Sequence, residues 1–501
     1  MHDSQSNLQS AIAMLNQKRY AEAEHQAMKV KAGDALFSRA LEVAAVSIER
    51  LDRCAEALIL LEYAFFIEPT NANIQYNLGV FYAKVGDENA SMMAYQTCLR
   101  IKPDHVDALW NYTEQLRIKE HFDAALLLLE RLESILPKHR LGDFHHRFGV
   151  TLFYLGHMDK ARRAFGRSLA VGGSEPAVTQ WEYSHLLLAL GDWQKGWLAY
   201  DYRFAAGHRT NVVCHHYPYP LWQGENLEGK TLLVHGEQGL GDEIMFGQIL
   251  FDIEKEAGQI VWGCRPSLVR LFANSHQAID VVPHRVIVAP ADVSGKEIHY
   301  HVPICSLGRW RRTESADFEV SRGLLRADSE QVVEFDRALV TSMNGVKKYR
   351  VGIMWGANPA LGVRSARQRS VQKSIPIDYL RPLVQYCDQI QFVSLQNKEA
   401  AMEAASLPQL DMIDFADTAA LVENMDLIIS VDTSVAHLAG AMGKPVWVLL
   451  MHQADWRWMR EGEKSVWYKS AKLLRQPRQG DWGSVISDLC SALDEWLRIL
   501  E

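Results

Sequence analysis

The sequence predicts an α plus α/β protein: a solenoid of paired helices followed by a two-lobed domain of parallel sheets covered by helices. Three observations carry this. Prolines recur at a fixed interval through the first part of the chain. From Lys230 onward short apolar runs alternate with amphipathic segments, and that series starts afresh at Tyr349. The expected boundaries are 1–208 for the solenoid, 209–229 for a linker, 230–340 and 341–480 for the lobes, and 481–501 for a closing helix. A chain of 501 residues suits several units, since one domain commonly holds about 100–200 residues.

Pro69, Pro103 and Pro137 are spaced by 34 residues each, and each closes an apolar-rich helical segment. Proline ends a helix there because it has no N–H to donate and its ring clashes with the preceding turn. In the same register, Gly79 and Gly149 sit two repeats apart. Ala57, Ala125 and Ala161, with Ser91 standing in once, occupy the point where two helices approach closely. Aromatic residues recur near the start of successive first helices (Tyr76, Trp110, Phe144, Trp181), and Gly86, Gly156 and Gly191 fall in the turns. The pattern resembles the tetratricopeptide repeat, with five to six units over residues 5–208, the first two degenerate. One helix pair cannot bury its own apolar face, so neighbours stack and leave a groove suited to a polypeptide partner. The plainer reading makes the array a folding cap or a dimerisation platform, and only the second of these would make the chain a homo-oligomer.

A net charge of -8 and a pI near 6.2 give no overall footprint for nucleic acid. Seven scattered cysteines without a CxxC pair fit reduced thiols in a cytoplasmic protein better than a disulfide framework or a zinc site. The first residues show no basic-then-apolar leader, and no apolar run is long enough to span a membrane.

After Phe204 the period fails, and residues 205–229 mix proline, glycine, histidine and aromatics without alternation. His215 and His216 are adjacent but lack a third ligand at a suitable spacing, so no metal is assigned. Beyond the linker, KTLLVHG, QIVWGC and IDVVP read as buried strands separated by helices. YRVGIMWG, IQFVSLQ, DLIISV and KPVWVLL form the second series, after a polar, helix-prone segment near 313–348. Two doubly wound lobes would face each other across a cleft, with ligands at the carboxyl ends of the strands. The closing helix DWGSVISDLCSALDEWLRIL is placed to cross back onto the first lobe.

Two strand-to-helix turns stand out. In His235-Gly236-Glu237-Gln238-Gly239-Leu240-Gly241-Asp242, glycines permit a tight turn and close backbone approach, and a carboxylate opens the helix; the same turn is also what an ordinary capped βα connection looks like. In Val431-Asp432-Thr433-Ser434-Val435-Ala436-His437, a buried strand runs straight into a helix whose first N–H groups and dipole suit a phosphate, with Asp432 or Thr433 as a plain cap being the alternative. His437 reads equally as a packing residue. Between them lies a basic stretch, Arg364, Arg367, Arg369 and Lys373, after the first strand of the second lobe.

The order HGEQGLGDEIMF, WGANP, QKSIPI, FVSLQ, DFADTAALVENMDLIISVDTSVAHLAGAMGKPVWVLL and DWRW resembles bacterial proteins that fuse tetratricopeptide repeats to a heptosyltransferase-like glycosyltransferase domain of GT-B fold. The resemblance covers nearly the whole chain and is most specific from Asp414 to Trp458. It implies an inverting, metal-independent transfer of a sugar from a nucleotide diphosphate donor, with no cofactor beyond that substrate. Asp242 matches the carboxylate that acts as base at the acceptor hydroxyl, while Gly239 and Gly241 precede it. Lys373 falls near a lysine that neutralises the donor diphosphate, with Arg369 or Arg364 as the alternative counterpart. Asp432 to Ala436, including Thr433, Ser434 and Val435, match the segment whose backbone holds that diphosphate, although heptosyltransferases commonly have glycine where Ser434 stands. Trp355, Gly356 and Asn358, and Ser394 and Gln396, end strands where the nucleotide would be contacted.

The expected function is transfer of a sugar from a nucleotide donor to a side-chain hydroxyl of a protein held by the repeats. Glycan- or lipid-linked acceptors, or a scaffold that has lost catalysis, are the alternatives. Glu237 and His235 are the next candidates for the base should Asp242 be only a cap.

Overall fold

The structure is a computed structural model that describes residues 2–207, 210, 212–286, 289–320, 323–342, 348–357, 370–396, 407–408 and 410–500. The chain divides into two compact units, Met1–Ser174 and Glu175–Glu501.

The first unit consists of helix pairs. They are α1 and α2 (His2–Asn16, Tyr20–Ala27), α3 and α4 (Phe37–Glu49, Cys54–Ile67), and α5 and α6 (Ala72–Val85, Glu88–Ile101). Then follow α7 and α8 (Val106–Ile118, Phe122–Glu133) and α9 and α10 (Leu141–Tyr154, Met158–Val171). The periodic prolines lie just beyond α4, α6 and α8, where a helix must already have ended. The small residues are where the pairs touch. A Cβ on Gly79 would lie 2.5 Å from the Tyr95 ring, and Ser91 Oγ donates to the Gly79 carbonyl at 2.6 Å. Ala57, Ala125 and Ala161 are fully buried.

A sixth pair, α11 (Pro176–Ala189) and α12 (Trp193–Tyr200), continues the period but belongs to the second unit. Compactness therefore parts the chain at Ser174/Glu175, earlier than the period of the repeats suggests, because α12 is bound into the α/β domain. Trp197 donates its indole N–H to the Arg312 carbonyl at 2.6 Å and packs on Phe246 and Trp456. Just after α12, the fully buried Arg203 grips Glu237 with two hydrogen bonds of 2.8 and 2.7 Å.

The rest of the second unit is two parallel sheets. The first has strand order β3-β2-β1-β4, from β1 (Thr231–His235), β2 (Gln259–Cys264), β3 (Ile279–Pro283) and β4 (Tyr300–Pro303). Its helices are α13 (Leu240–Gly247), α14 (Leu250–Ile253), α15 (Val269–Ser275) and α16 (Gly308–Arg311). At its edge the linker pairs with β4: Trp222 N–H donates to the His301 carbonyl at 2.9 Å and His301 N–H to the Pro220 carbonyl at 3.0 Å. The second sheet has order β6-β5-β7-β8-β9, from β5 (Tyr349–Met354), β6 (Ile390–Ser394), β7 (Leu427–Val431), β8 (Val446–Leu450) and β9 (Ala471–Arg475). Helices α17 (Ser329–Ser342), α18 (Phe415–Glu423) and α19 (Ser434–Ala441) accompany it, and α17 packs on α18.

The closing helix, α20 (Trp482–Leu500), packs, among the described residues, on the second lobe and not on the first. Its Val485, Ile486, Leu489 and Leu493 join the core of the second lobe with Trp447, Leu474 and Tyr386. One apolar stripe can cover only one surface, and the nearest is the sheet that the helix has just left.

On the first sheet, Tyr217 of the linker packs against both His235 and His301, whose rings are stacked with centroids 5.4 Å apart, and His215 packs on His284. These side chains, with Trp222, Trp310 and Arg309 but without His284, help line a cavity of about 410 Å³ that includes His235, the alternative base, but neither Asp242 nor Lys373. Burial pushes His235 and His301 below the ordinary imidazole value and brings His276 and His284 down to about 4. An unfolded chain takes up these protons near pH 6.5. Between about pH 6.5 and 4 it thus binds more protons than the fold, and stability must decrease as the pH is lowered across that window. Glu243 acts the other way, since burial raises its carboxyl to about 8, but it is one group against several. The unfolding temperature is expected to climb steadily from pH 4 to 6.5; a flat or inverted profile would contradict the burial of these rings.

Candidate functional site

Both sheets reverse their strand order, the first between β1 and β4 and the second between β5 and β7. Such switch points are where open α/β sheets bind ligands, outside the carboxyl ends of the strands. β1 ends in the Gly-rich turn that leads into α13, and β7 ends in the turn that leads into α19. The two helices pack against each other. Their first turns meet at Gly241, where a Cβ would lie 2.8 Å from His437 Cδ2 and 3.5 Å from Ser434 Cα. Gly241 is needed for this contact between lobes, whereas the sequence suggested close approach to a ligand.

Asp242 sits in the first turn of α13 with both carboxylate oxygens engaged. Oδ2 accepts from Gly239 N–H at 2.8 Å, and Oδ1 forms an ion pair with Arg457. Arg457 comes from the short helical turn Trp456–Trp458 after β8, so the pair ties one lobe to the other. Its second nitrogen, Nη1, reaches Asp455 at 2.7 Å. Burial alone would loosen the guanidinium proton, but Asp242 and Asp455 hold it well above its usual range.

Asp432, at the end of β7, is 9 % exposed and accepts from Trp458 Nε1 at 2.8 Å, with Lys373 Nζ 2.5 Å away. Burial would raise its carboxyl, yet the neighbouring Lys373 ammonium holds it below the usual carboxylate range. Thr433 is the N-cap of α19, its hydroxyl 3.0 Å from Ser430 Oγ, with no side-chain cap bond to the helix. Ser434, Val435 and Ala436 follow in the first turn, whose N–H groups have no carbonyl four residues back. His437 is buried, brought to about 4 by that burial, and its Nδ1 lies 2.8 Å from the Tyr468 hydroxyl. It is therefore neutral at pH 7.

The structure thus brings Asp242, Gly239, Gly241, Lys373, Asp432, Thr433, Ser434, Val435, Ala436 and His437 to one place. Asn358, Arg364 and Arg369 lie outside the described residues. Two of the expected contact residues are buried. Trp355 is 4 % exposed and packed in the core of the second lobe. Gln396 is 1 % exposed, and its Oε1 accepts from Gly356 N–H at 3.2 Å, which binds two strand ends together. The alternative bases are also engaged: Glu237 holds Arg203 and the Cys305 N–H, and His235 Nε2 lies 3.2 Å from His301 Nδ1. Sequence reasoning missed Arg457, Trp458 and Tyr468 as site residues. The run DWRW was the available signal, a cation between two aromatics shortly after a buried strand.

Residues 389–456 match the family model described as glycosyltransferase family 9 (heptosyltransferase), and residues 72–105 match a tetratricopeptide repeat. Protein FlbA of Caulobacter vibrioides is 25% identical over 477 residues, spanning 90% of this chain and 72% of its own. Among solved structures, a tetratricopeptide repeat protein from Parabacteroides merdae is 15% identical, with a TM-score of 0.34, over 41% of this chain and 80% of its own. MamA from Desulfovibrio magneticus RS-1 is 15% identical, with a TM-score of 0.30, over 34% and 93%. YrrB, described as a repeat protein with an unusual peptide-binding site, is 18% identical, with a TM-score of 0.30, over 34% and 86%.

Proposed function

For a chain that joins tetratricopeptide repeats to a glycosyltransferase family 9 domain, we propose that the site transfers a sugar from a nucleotide diphosphate donor to a hydroxyl of a polypeptide recruited by the repeats. The observation that carries this reading is the convergence of two helix N-termini from opposite lobes, one presenting a carboxylate and the other a lysine-flanked anion cradle. Asp242 takes the acceptor proton as the new glycosidic bond forms. Lys373 and the first turn of α19 receive the charge that develops on the leaving diphosphate, as preorganised cations and N–H groups do. With base and leaving group on opposite lobes, the displacement is direct and inverts the anomeric centre. Because lysine and helix dipole neutralise the phosphates, no metal is required, and chelation by EDTA is expected to leave the rate unchanged.

Incubation with a panel of UDP-, GDP-, ADP- and dTDP-linked sugars, followed by intact-mass analysis of protein and glycan acceptors, tests the reading. A sugar-sized mass gain on protein supports it, and transfer confined to glycan acceptors rules out the polypeptide acceptor. Lys373→Ala is expected to weaken donor binding and slow transfer, and to lower the unfolding temperature because Asp432 loses its cation. Adding Asp432→Asn should restore the unfolding temperature but not the transfer. Recovery of both would make Lys373 merely a partner for Asp432.

A further inference from the structure

The Arg457–Asp242 pair has a third participant, contributed by the last helix of the repeat array. Tyr200 ends α12, is 1 % exposed, and its hydroxyl accepts from Gln238 Nε2 at 2.8 Å. Arg457 Nη2 lies 3.5 Å from that hydroxyl and 3.4 Å from Gln238 Oε1. One guanidinium thus touches α12, the turn before α13, and Asp242 itself. Aromatic packing keeps the geometry in place: Trp456 lies 5.6 Å from the ring of Tyr200, and Arg457 sits over Trp456 at 4.6 Å.

The backbone adds an independent sign. Among the described residues of the second unit, Gln238 and Met459 alone adopt positive φ without being glycine, both at +59°. They flank this node, one a residue before Gly239 and the other just after Trp458. Residues are held in that region only where surrounding contacts over-determine them, typically at functional sites. Gln238 is fixed by the Tyr200 hydroxyl, by Cys305 Sγ at 3.6 Å, and through its carbonyl by Arg265.

We infer that Tyr200 is a positioning residue for transfer: the terminal repeat helix sets the orientation of Asp242 through Gln238 and Arg457. This rests on Asp242 being the base, as proposed above. The hydroxyl fixes the Gln238 amide and one edge of the guanidinium, and the guanidinium in turn fixes one oxygen of Asp242. The other oxygen is fixed by Gly239. A carboxylate held on both sides points a lone pair in one direction, and a small misplacement of a base costs rate far more than binding.

The test uses the full chain and follows nucleotide release from whichever member of the UDP-, GDP-, ADP- and dTDP-sugar panel turns over fastest. Tyr200→Phe keeps the ring and removes only the hydroxyl. Gln238→Gly removes the amide and suits the positive φ, so the fold should not suffer. Each is expected to lower kcat roughly ten- to a hundredfold with the donor KM unchanged, to move the pH dependence of kcat, and to add little when combined. Unchanged kcat in both variants, while Asp242→Asn abolishes transfer, overturns the positioning role and leaves the base intact. Parallel loss of kcat, donor affinity and unfolding temperature assigns Tyr200 a structural role only and overturns it as well. Undiminished transfer in Asp242→Asn removes the base, and the positioning role with it.

Discussion

Asp242→Asn is expected to slow transfer by roughly 10²- to 10⁴-fold, the usual worth of a positioned general base, while nucleotide binding stays intact. Asparagine keeps an oxygen for the Gly239 N–H, the bond that the third residue of α13 makes back to the N-cap, so α13 should begin where it does now. What it loses is charge. Arg457 would keep Asp455 as its carboxylate, so the fold should survive with a modestly lower unfolding temperature. The measurements are single-turnover transfer, nucleotide titration and thermal unfolding on the same preparation. Near-parental transfer in a stable variant would leave Asp242 as an anchor between lobes and nothing more.

A chain cut at residue 209, where the repeat period ends, is expected to fail to fold, whereas one cut at residue 175 should fold. The difference lies in α11, α12 and the residues just beyond. Removing them strips Trp197 from Phe246 and Trp456 and takes Arg203 from Glu237, which is 2 % exposed. Breaking a buried pair by deleting one partner costs about 3–5 kcal/mol, and lost burial of aromatic surface adds to it. Single-domain stabilities are about 5–15 kcal/mol, so the shorter fragment has little margin. Circular dichroism and cooperative melting of both fragments would decide the matter. The reciprocal piece, residues 1–174, should melt as a helical array because repeats contact only their neighbours. Soluble, cooperatively melting protein from the 209 cut would show that the buried arginine is dispensable.

What the sequence made legible was local. Proline at a fixed spacing, small residues in register and apolar runs of strand length each leave a mark within a few dozen residues, and they identified the repeats, the two sheets and the strand-to-helix turns after β1 and β7. What stayed hidden was pairing across distance. Arg457 and Asp242 are far apart in the chain and meet only because two lobes close on each other, so no spacing announces them. Tyr200 was hidden by belonging to a period: a residue that fits a repeat reads as repeat, although its hydroxyl serves the neighbouring domain. Trp355 shows that a strand end does not fix where a side chain goes. The end of a strand is indeed at the cleft, but the alternation of side chains turned this ring into the core. The closing helix has a strong apolar stripe, and a stripe states that it will be covered without stating by what.

The linker's two hydrogen bonds to His301 have a consequence for the chain's behaviour in crowded solution. β4 is an outer strand of the first sheet, and an outer strand with free N–H and C=O groups is a template on which another copy can add. By laying Pro220 to Trp222 alongside it, the linker occupies those groups and places proline and bulky indole where a foreign strand would have to align. The segment that looks least regular in the sequence thus guards the domain against aggregation, and shortening it would remove that guard before it disturbed any residue of the site.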